Sequence, residues 1–238
     1  MAITTLGLDG DDTLWHSENY FELTTGRLVE LLDPWIADTG AAHARLIEIE
    51  RRNLALLGYG AKAFTLSMIE TAIEVSDGHI PSGSIRQIIA WGHELLAHPV
   101  ELLDGVEDTV RALSGDYDLV LITTGDLLHQ ESKIAQSGIE TFFRGIEIVS
   151  EKDPVTYRRV LERSRVAPPE FVMVGNSVRS DVAPVVGLGA RAVHVPYQVT
   201  WALEHHDTAE TVEFSTIASI RELPALLDGL GTRDQRPG

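Results

Sequence analysis

The chain of 238 residues contains no cysteine. Disulfides, thiolate metal sites and a cysteine nucleophile are therefore excluded. Cations are scarce: 19 Lys and Arg stand against 36 Asp and Glu, a formal charge of −17. Binding along a nucleic-acid backbone needs lysines and arginines to neutralise phosphates, so no nucleic-acid partner is expected. One local cationic pocket for a small anion is still compatible with that charge. No apolar run approaches the roughly 18 residues of a membrane-spanning helix. The first residues also lack a basic segment followed by a signal-like apolar run. No membrane partner is expected, and the cytoplasm is the expected location. Internal repeats and low-complexity segments are absent as well. What remains is 44% hydrophobic and 23% charged, ordinary for a globular protein, at a length that allows one large domain or a core plus a smaller module.

Hydrophobic periodicity divides the chain. Residues 3–8 read as a strand. From about 18 to 98 the pattern turns helical, with helices predicted over 18–32, 38–57, 63–77 and 84–97. Ile47, Leu54 and Leu57 recur at helical intervals in the second. Gly58 and Gly78 suit helix C-termini, and Ser82 or Ser84 suits the N-cap of the fourth. About 80 residues of helix with almost no strand signal read as one inserted bundle. After Pro99 strands and helices alternate: a helix over 105–114, a strand over 117–123, a helix over 127–137, a strand over 145–149, a helix over 153–164, a strand over 171–174, a helix over 179–186 and a last clear strand over 191–195. Such alternation predicts right-handed βαβ units and a mostly parallel sheet. Residues 229–238 read as a frayed tail.

The first strand runs into Asp9-Gly10-Asp11-Asp12-Thr13, two carboxylates spaced i and i+2 and then a hydroxyl. Asp9-Gly10 also reads as a hairpin turn. A calcium loop starting at Asp9 fails, because its sixth and twelfth positions fall on Leu14 and Tyr20 rather than Gly and Glu. Ligands of open α/β sheets bind outside the carboxyl ends of the strands, and three further strands end in chemically useful groups. One ends in Thr123-Thr124-Gly125, one is followed by Lys152, and one ends in Gly175-Asn176-Ser177-Val178-Arg179-Ser180-Asp181. Singly, each has a plain alternative: a β-branched strand residue, a solvated lysine, a helix cap, a surface acid. Jointly and in order they supply acids for a cation, hydroxyls and N–H groups for an oxyanion, one ammonium and a second acid. That set suits phosphoryl transfer, where the work is positioning and charge neutralisation.

On these residues the chain resembles the haloacid-dehalogenase-like hydrolase superfamily. An apolar strand followed by D-x-D-x-T matches Asp9 to Thr13. A strand ending in Thr or Ser matches Thr123, and a Lys before a helix matches Lys152. The last motif, G-D-x-x-x-x-D, matches Gly175 and Asp181 but has Asn176 in place of the first acid. The resemblance implies an α/β fold: a Rossmann-like doubly wound parallel sheet core over 1–16 and 99–228, an inserted all-helical cap over 17–98, and the tail over 229–238.

It also implies a mechanism. Asp9 is the nucleophile, ionised at neutral pH on the strength of an ordinary Asp pKa of about 3.9. Asp11 protonates the leaving oxygen and then takes a proton from water. Lys152 neutralises nucleophile and phosphate, and Gly10, Thr123 and Thr124 bind phosphate oxygens. Mg2+ is the implied cofactor, with Asp9, Asp11 through its carbonyl, Asp181 and Asn176 around it. Asn176 brings no charge, which implies a weaker metal site. A second acid at Asp11 favours a phosphatase over a dehalogenase, whose halide leaving group needs no proton. The expected activity is magnesium-dependent hydrolysis of a small phosphorylated metabolite. A phosphotransferase or mutase, a 2-haloacid dehalogenase and a non-catalytic binding protein are the alternatives. Hinges are expected near 15–18 and 98–100. In the cap, Tyr59 and Lys62 are candidates to touch substrate, while Arg51 and Arg52 read as solvated. Arg179 either approaches an anion or follows the cap of its helix. His205 and His206 are adjacent, do not share a helix face, and read as loop residues.

Overall fold

The computed structural model describes residues 2–36, 38–199, 201–203 and 213–233. In chain order its elements are β1 (Thr5–Leu8), α1 (Glu18–Leu32), α2 (Thr39–Leu57), α3 (Ala61–Val75), α4 (Ser82–Ala97), α5 (Val106–Leu113), β2 (Asp118–Thr124), α6 (Leu127–Ser137), β3 (Gly145–Val149), α7 (Pro154–Ser164), β4 (Phe171–Gly175), α8 (Ala183–Val186), β5 (Arg191–His194), β6 (Ser215–Thr216) and α9 (Leu223–Arg233). The chain splits into two compact units. One comprises residues 1–16, 100–124 and 131–238; the other comprises 17–99 and 125–130. Among the described residues no helix is long and apolar enough to cross a membrane.

The first unit holds a six-stranded sheet in the order β3-β2-β1-β4-β5-β6, and every neighbouring pair is parallel. The strands alternate their side chains between two faces, and both faces are buried. Leu6, Leu8, Leu119, Leu121, Val172, Val174 and Val193 pack into one cluster with Val106, Val110 and Leu227. Val120, Ile122, Phe171 and Met173 pack on the other side with Tyr157, Val160 and Leu161. Burial on both faces is why these strands read as nearly continuous apolar runs. The order reverses between β1 and β4: the chain steps from β1 to β2 to β3 on one side, then returns to place β4 beside β1. Ligands bind at the carboxyl ends of strands at such a switch point. Leu8 pairs with both Leu121 and Val174, so Asp9 emerges between the ends of the neighbouring strands.

The second unit is helical. α1 to α4 bury Leu28, Leu32, Leu46, Met68, Ile88 and Trp91 in one cluster. Asp38 caps α2 by accepting from the Gly40 N–H at 3.0 Å. Arg52 is not simply solvated: it joins α2 to α3 by donating to Glu70 at 2.8 Å and Glu74 at 3.2 Å. Lys62 pairs with Asp126 at 3.4 Å within this unit.

Several expectations are corrected. Neither Ser82 nor Ser84 caps α4; Pro81 does, and it offers no side-chain acceptor. β6 is only two residues long, too short to show a period in the sequence. α9 runs to Arg233, so the expected tail over 229–238 is helical at least through 233, anchored by Leu223 and Leu227 in the core. The helix expected over 179–186 is instead a π-helical turn, Val178–Val182, followed by the short α8. Proline explains this. Pro184 has no N–H to donate to the Ser180 carbonyl, and the Tyr157 hydroxyl donates to that carbonyl instead, at 3.0 Å.

Candidate active site

The loop after β1 is set by close approach. The Asp9 N–H continues the sheet ladder to the Val174 carbonyl at 2.9 Å, and the Gly10 carbonyl accepts from the Leu14 N–H at 2.8 Å. Asp12 takes a left-handed conformation, φ 62°, which turns the chain back. Its N–H donates to the Trp15 carbonyl at 2.7 Å. Trp15 thereby lies over Gly10. A Cβ at residue 10 would stand 2.7 Å from the Trp15 ring and 3.2 Å from the Thr123 hydroxyl oxygen. Only glycine leaves room there, and that room is what puts Thr123, at the end of β2, beside the loop.

Lys152 reaches the same point from the start of α7. Asp153 caps that helix by accepting from the Thr156 N–H at 2.7 Å, with Pro154 in the first turn. The Lys152 ammonium donates to Asp9 Oδ1, and to Asp181 Oδ1 at 2.7 Å. All three side chains are buried, with exposures of 4% for Lys152, 9% for Asp9 and 1% for Asp181. The second oxygen of Asp181 accepts from the Ser177 N–H at 3.0 Å. Gly175 makes this possible, since a Cβ there would meet Asp181 Oδ2 at 2.1 Å. The Thr13 hydroxyl lies 3.3 Å from both Asp9 Oδ2 and Asn176 Oδ1. Asp11 is less buried, and its Oδ1 accepts from the Trp15 indole N–H at 2.6 Å and from the Lys133 ammonium at 2.5 Å.

Burial changes the charge balance that the sequence alone suggests. Desolvation pushes the Asp9 carboxyl up to about 8, against the pull of Lys152 and with the help of the Asp181 charge. Lys152 is also desolvated, but Asp181 and Asp9 together outweigh that and raise it. Lys152 has two carboxylates where Asp9 has one direct ammonium, so we take Lys152 as the firmly protonated member. Three carboxyl groups, Asp9, Asp11 and Asp181, thus share the ammoniums of Lys152 and Lys133. A phosphate dianion arriving there would need a further cation.

A magnesium ion fits this chemistry. It asks for a few carboxylate or carbonyl oxygens and keeps waters and substrate oxygens for the rest. Asp9 Oδ2 and Asn176 Oδ1 are such oxygens, and the Thr13 hydroxyl is within reach of both.

Of the residues singled out in the sequence, Asp9, Gly10, Thr123, Lys152, Asn176 and Asp181 are joined to the loop after β1 by the contacts above. Thr124, half-buried, closes β2 next to Thr123. Asp181 arrives chiefly as the partner of Lys152 and of the Ser177 N–H. Arg179 turns to a backbone acceptor, the Leu203 carbonyl at 2.5 Å. His205 and His206 lie outside the described residues. Lys133 and Trp15 were not anticipated. Lys133 lies with Gln130, Ile134 and Ser137 on the buried stripe of α6 at i, i+3, i+4 and i+7 spacing, and because three of those four are polar no apolar period marks it in the sequence. A lysine on such a stripe needs a partner.

Residues 3–187 match the hydrolase family described as haloacid dehalogenase-like hydrolase. The chain belongs to that family. A haloacid dehalogenase-like hydrolase from Xanthomonas campestris, solved by crystallography, is 43% identical, with a TM-score of 0.86 over 98% of this chain and 95% of its own. A curated relative, the glyceraldehyde 3-phosphate phosphatase of Pyrococcus furiosus, is 23% identical over 96% of this chain and 93% of its own. Two more distant structures share the fold. A Bacillus subtilis family hydrolase, bound to magnesium, is 19% identical with a TM-score of 0.64 over 96% of this chain and all of its own. The L-2-haloacid dehalogenase of Xanthobacter autotrophicus is 16% identical, also at 0.64, over 96% and 99%.

Proposed function

We propose that this hydrolase is a magnesium-dependent phosphatase that acts on a small phosphorylated metabolite through an aspartyl-phosphate. The observation that carries the reading is the buried Asp9–Lys152–Asp181 set with a second, hydrogen-bonded acid at Asp11. Asp9 attacks phosphorus. The ester P–O bond breaks, and the leaving oxygen takes a proton from Asp11. Water then attacks the phosphorus of the aspartyl-phosphate and gives its proton to Asp11, which frees Asp9 and phosphate. Lys152 holds Asp9 and offsets the phosphate charge, and Asp181 fixes Lys152. The Thr123 hydroxyl and the N–H groups around Gly10 and Thr124 bind phosphate oxygens. Asp9, Asn176 and the Asp11 carbonyl, with the Asp181 charge nearby, would hold magnesium, which would supply positive charge against the phosphate dianion. The magnesium in the Bacillus subtilis relative and the phosphatase activity of the Pyrococcus furiosus relative support the same reading.

The Xanthobacter relative makes dehalogenation the competing reading. Asp11 speaks against it, because a departing halide needs no proton and the structure holds this acid with two donors. The deciding experiment measures phosphate release from a panel of small phosphomonoesters, glyceraldehyde 3-phosphate included, with and without magnesium, beside halide release from 2-haloacids. Phosphate release that needs magnesium and disappears in Asp9→Asn is the expected result. Halide release, or phosphate release unchanged in Asp9→Asn, would refute the proposal.

A further inference from the structure

The acid that would deliver a proton to the leaving group is itself held by hydrogen bonds. Asp11 is 29% exposed, yet two donors converge on a single oxygen, Oδ1: the Trp15 indole N–H at 2.6 Å and the Lys133 ammonium at 2.5 Å. Lys133 sits on α6, 122 residues away in sequence, with a side chain only 10% exposed. An ammonium removed from water this far is costly unless its partner repays it. The cation therefore has a reason to be on the α6 stripe, and the reason is Asp11.

We propose that Lys133 is a positioning residue for the proton transfer made by Asp11. This rests on the phosphatase reading above. Hydrogen bonds at Oδ1 fix the rotamer of the carboxyl group that carries the proton to the leaving alcohol. When that proton moves to the leaving oxygen, Lys133 and the Trp15 N–H stabilise the carboxylate left behind. Lys133 keeps its own three protons throughout. The same fixed carboxylate then receives the proton of the attacking water. Lys152 has a different task, since it faces Asp9 and Asp181 and not the leaving group.

The two roles separate by leaving group. A poor leaving group, such as the alkoxide of glycerol 3-phosphate, needs a proton as the ester bond breaks. The nitrophenolate of p-nitrophenyl phosphate departs without one. General acid catalysis is worth about 10²- to 10⁴-fold, and loss of its alignment should remove part of that. The test measures kcat and KM of wild type, Lys133→Met and Lys133→Arg on both substrates with magnesium present. Lys133→Met is expected to lower kcat on glycerol 3-phosphate by about 10- to 100-fold, and on p-nitrophenyl phosphate by less than about three-fold, with KM little changed. Lys133→Arg keeps a donor and a charge on the stripe and should restore most of the lost ratio, which a purely structural role would not require. Should Lys133→Met fail to fold, Lys133→Gln against Lys133→Arg reads the same ratio. An equal loss on both substrates, or no loss on either, overturns the role of Lys133 and leaves the phosphatase reading standing. A wild-type protein that releases phosphate from no phosphomonoester of the wider panel, these two included, overturns both.

Discussion

Asn176 occupies the place where the family motif usually carries an acid, and its amide oxygen shares the Thr13 hydroxyl with the nucleophile. An amide oxygen is an adequate ligand for a hard cation but brings no charge. Adding one unit of charge near a divalent ion gains about 2 kcal/mol at short range in a water-like medium. Asn176→Asp is therefore expected to tighten magnesium binding by about 30-fold in a calorimetric titration. An unchanged affinity would place Asn176 outside the metal's reach. The side chain of Asn176 is legible as a departure in the sequence, but its partner Thr13 is not: 163 residues separate them. The ionisation of Asp9 was equally out of reach of the sequence. A solvated aspartate is charged at neutral pH, whereas desolvation and the nearby Asp181 charge raise this one. Burial is a property of the whole fold, and no local pattern announces it.

α7 illustrates what local pattern does announce. Lysine, aspartate and proline in succession predict a capped helix start, and Asp153 performs that function through the Thr156 N–H. That hydrogen bond lowers the Asp153 carboxyl below its usual range. The stabilisation from the ionised cap is thus complete above the unfolded-chain value of about 3.9 and is lost as the pH falls through the lower folded value. Asp153→Ala should cost about 1 kcal/mol at neutral pH, read from urea unfolding, and the gap from wild type should narrow as the pH is lowered past that range. Asp153→Asn should keep most of the cap. The turn before α8 is the opposite case. A helix is expected over 179–186, and the π-helical turn found there comes from Pro184 and from Tyr157, a residue on another helix that answers the stranded Ser180 carbonyl. Strands β1, β2 and β4 were legible because they are buried on both faces and read as apolar runs. β6 was not, because two residues carry no period.

At the scale of the molecule, the order of the sheet brings together groups that the sequence presents in four separate places. Four strand ends carrying useful side chains were visible; that Lys152 would bridge Asp9 to Asp181, and that Lys133 would find Asp11, required the packing of α6 and α7. A ligand that binds only the folded protein stabilises it by about 2.7 kcal/mol at a hundred times its dissociation constant. Magnesium with beryllium fluoride, a phosphoryl mimic, should accordingly raise the melting temperature of wild type by about 5–10 °C, at 2–4 °C per kcal/mol for a chain of this size. Asp9→Asn should show no such rise, and an equal rise in both proteins would count against Asp9 as the anchor of the phosphoryl group. The pairing of β1 has one more consequence, in time rather than in space. Its neighbours are residues 118–121 on one side and 171–174 on the other, while α1 to α4 follow one another along the chain and touch in sequence. Contacts between distant segments form late because long loops must close first. The strand that carries the nucleophile precedes both of its neighbours in the chain, so it is enclosed only once residues 171–174 have joined the sheet. A chain caught part-way through folding can have its helical bundle without a reactive carboxylate, so the chemistry is withheld until the core is whole.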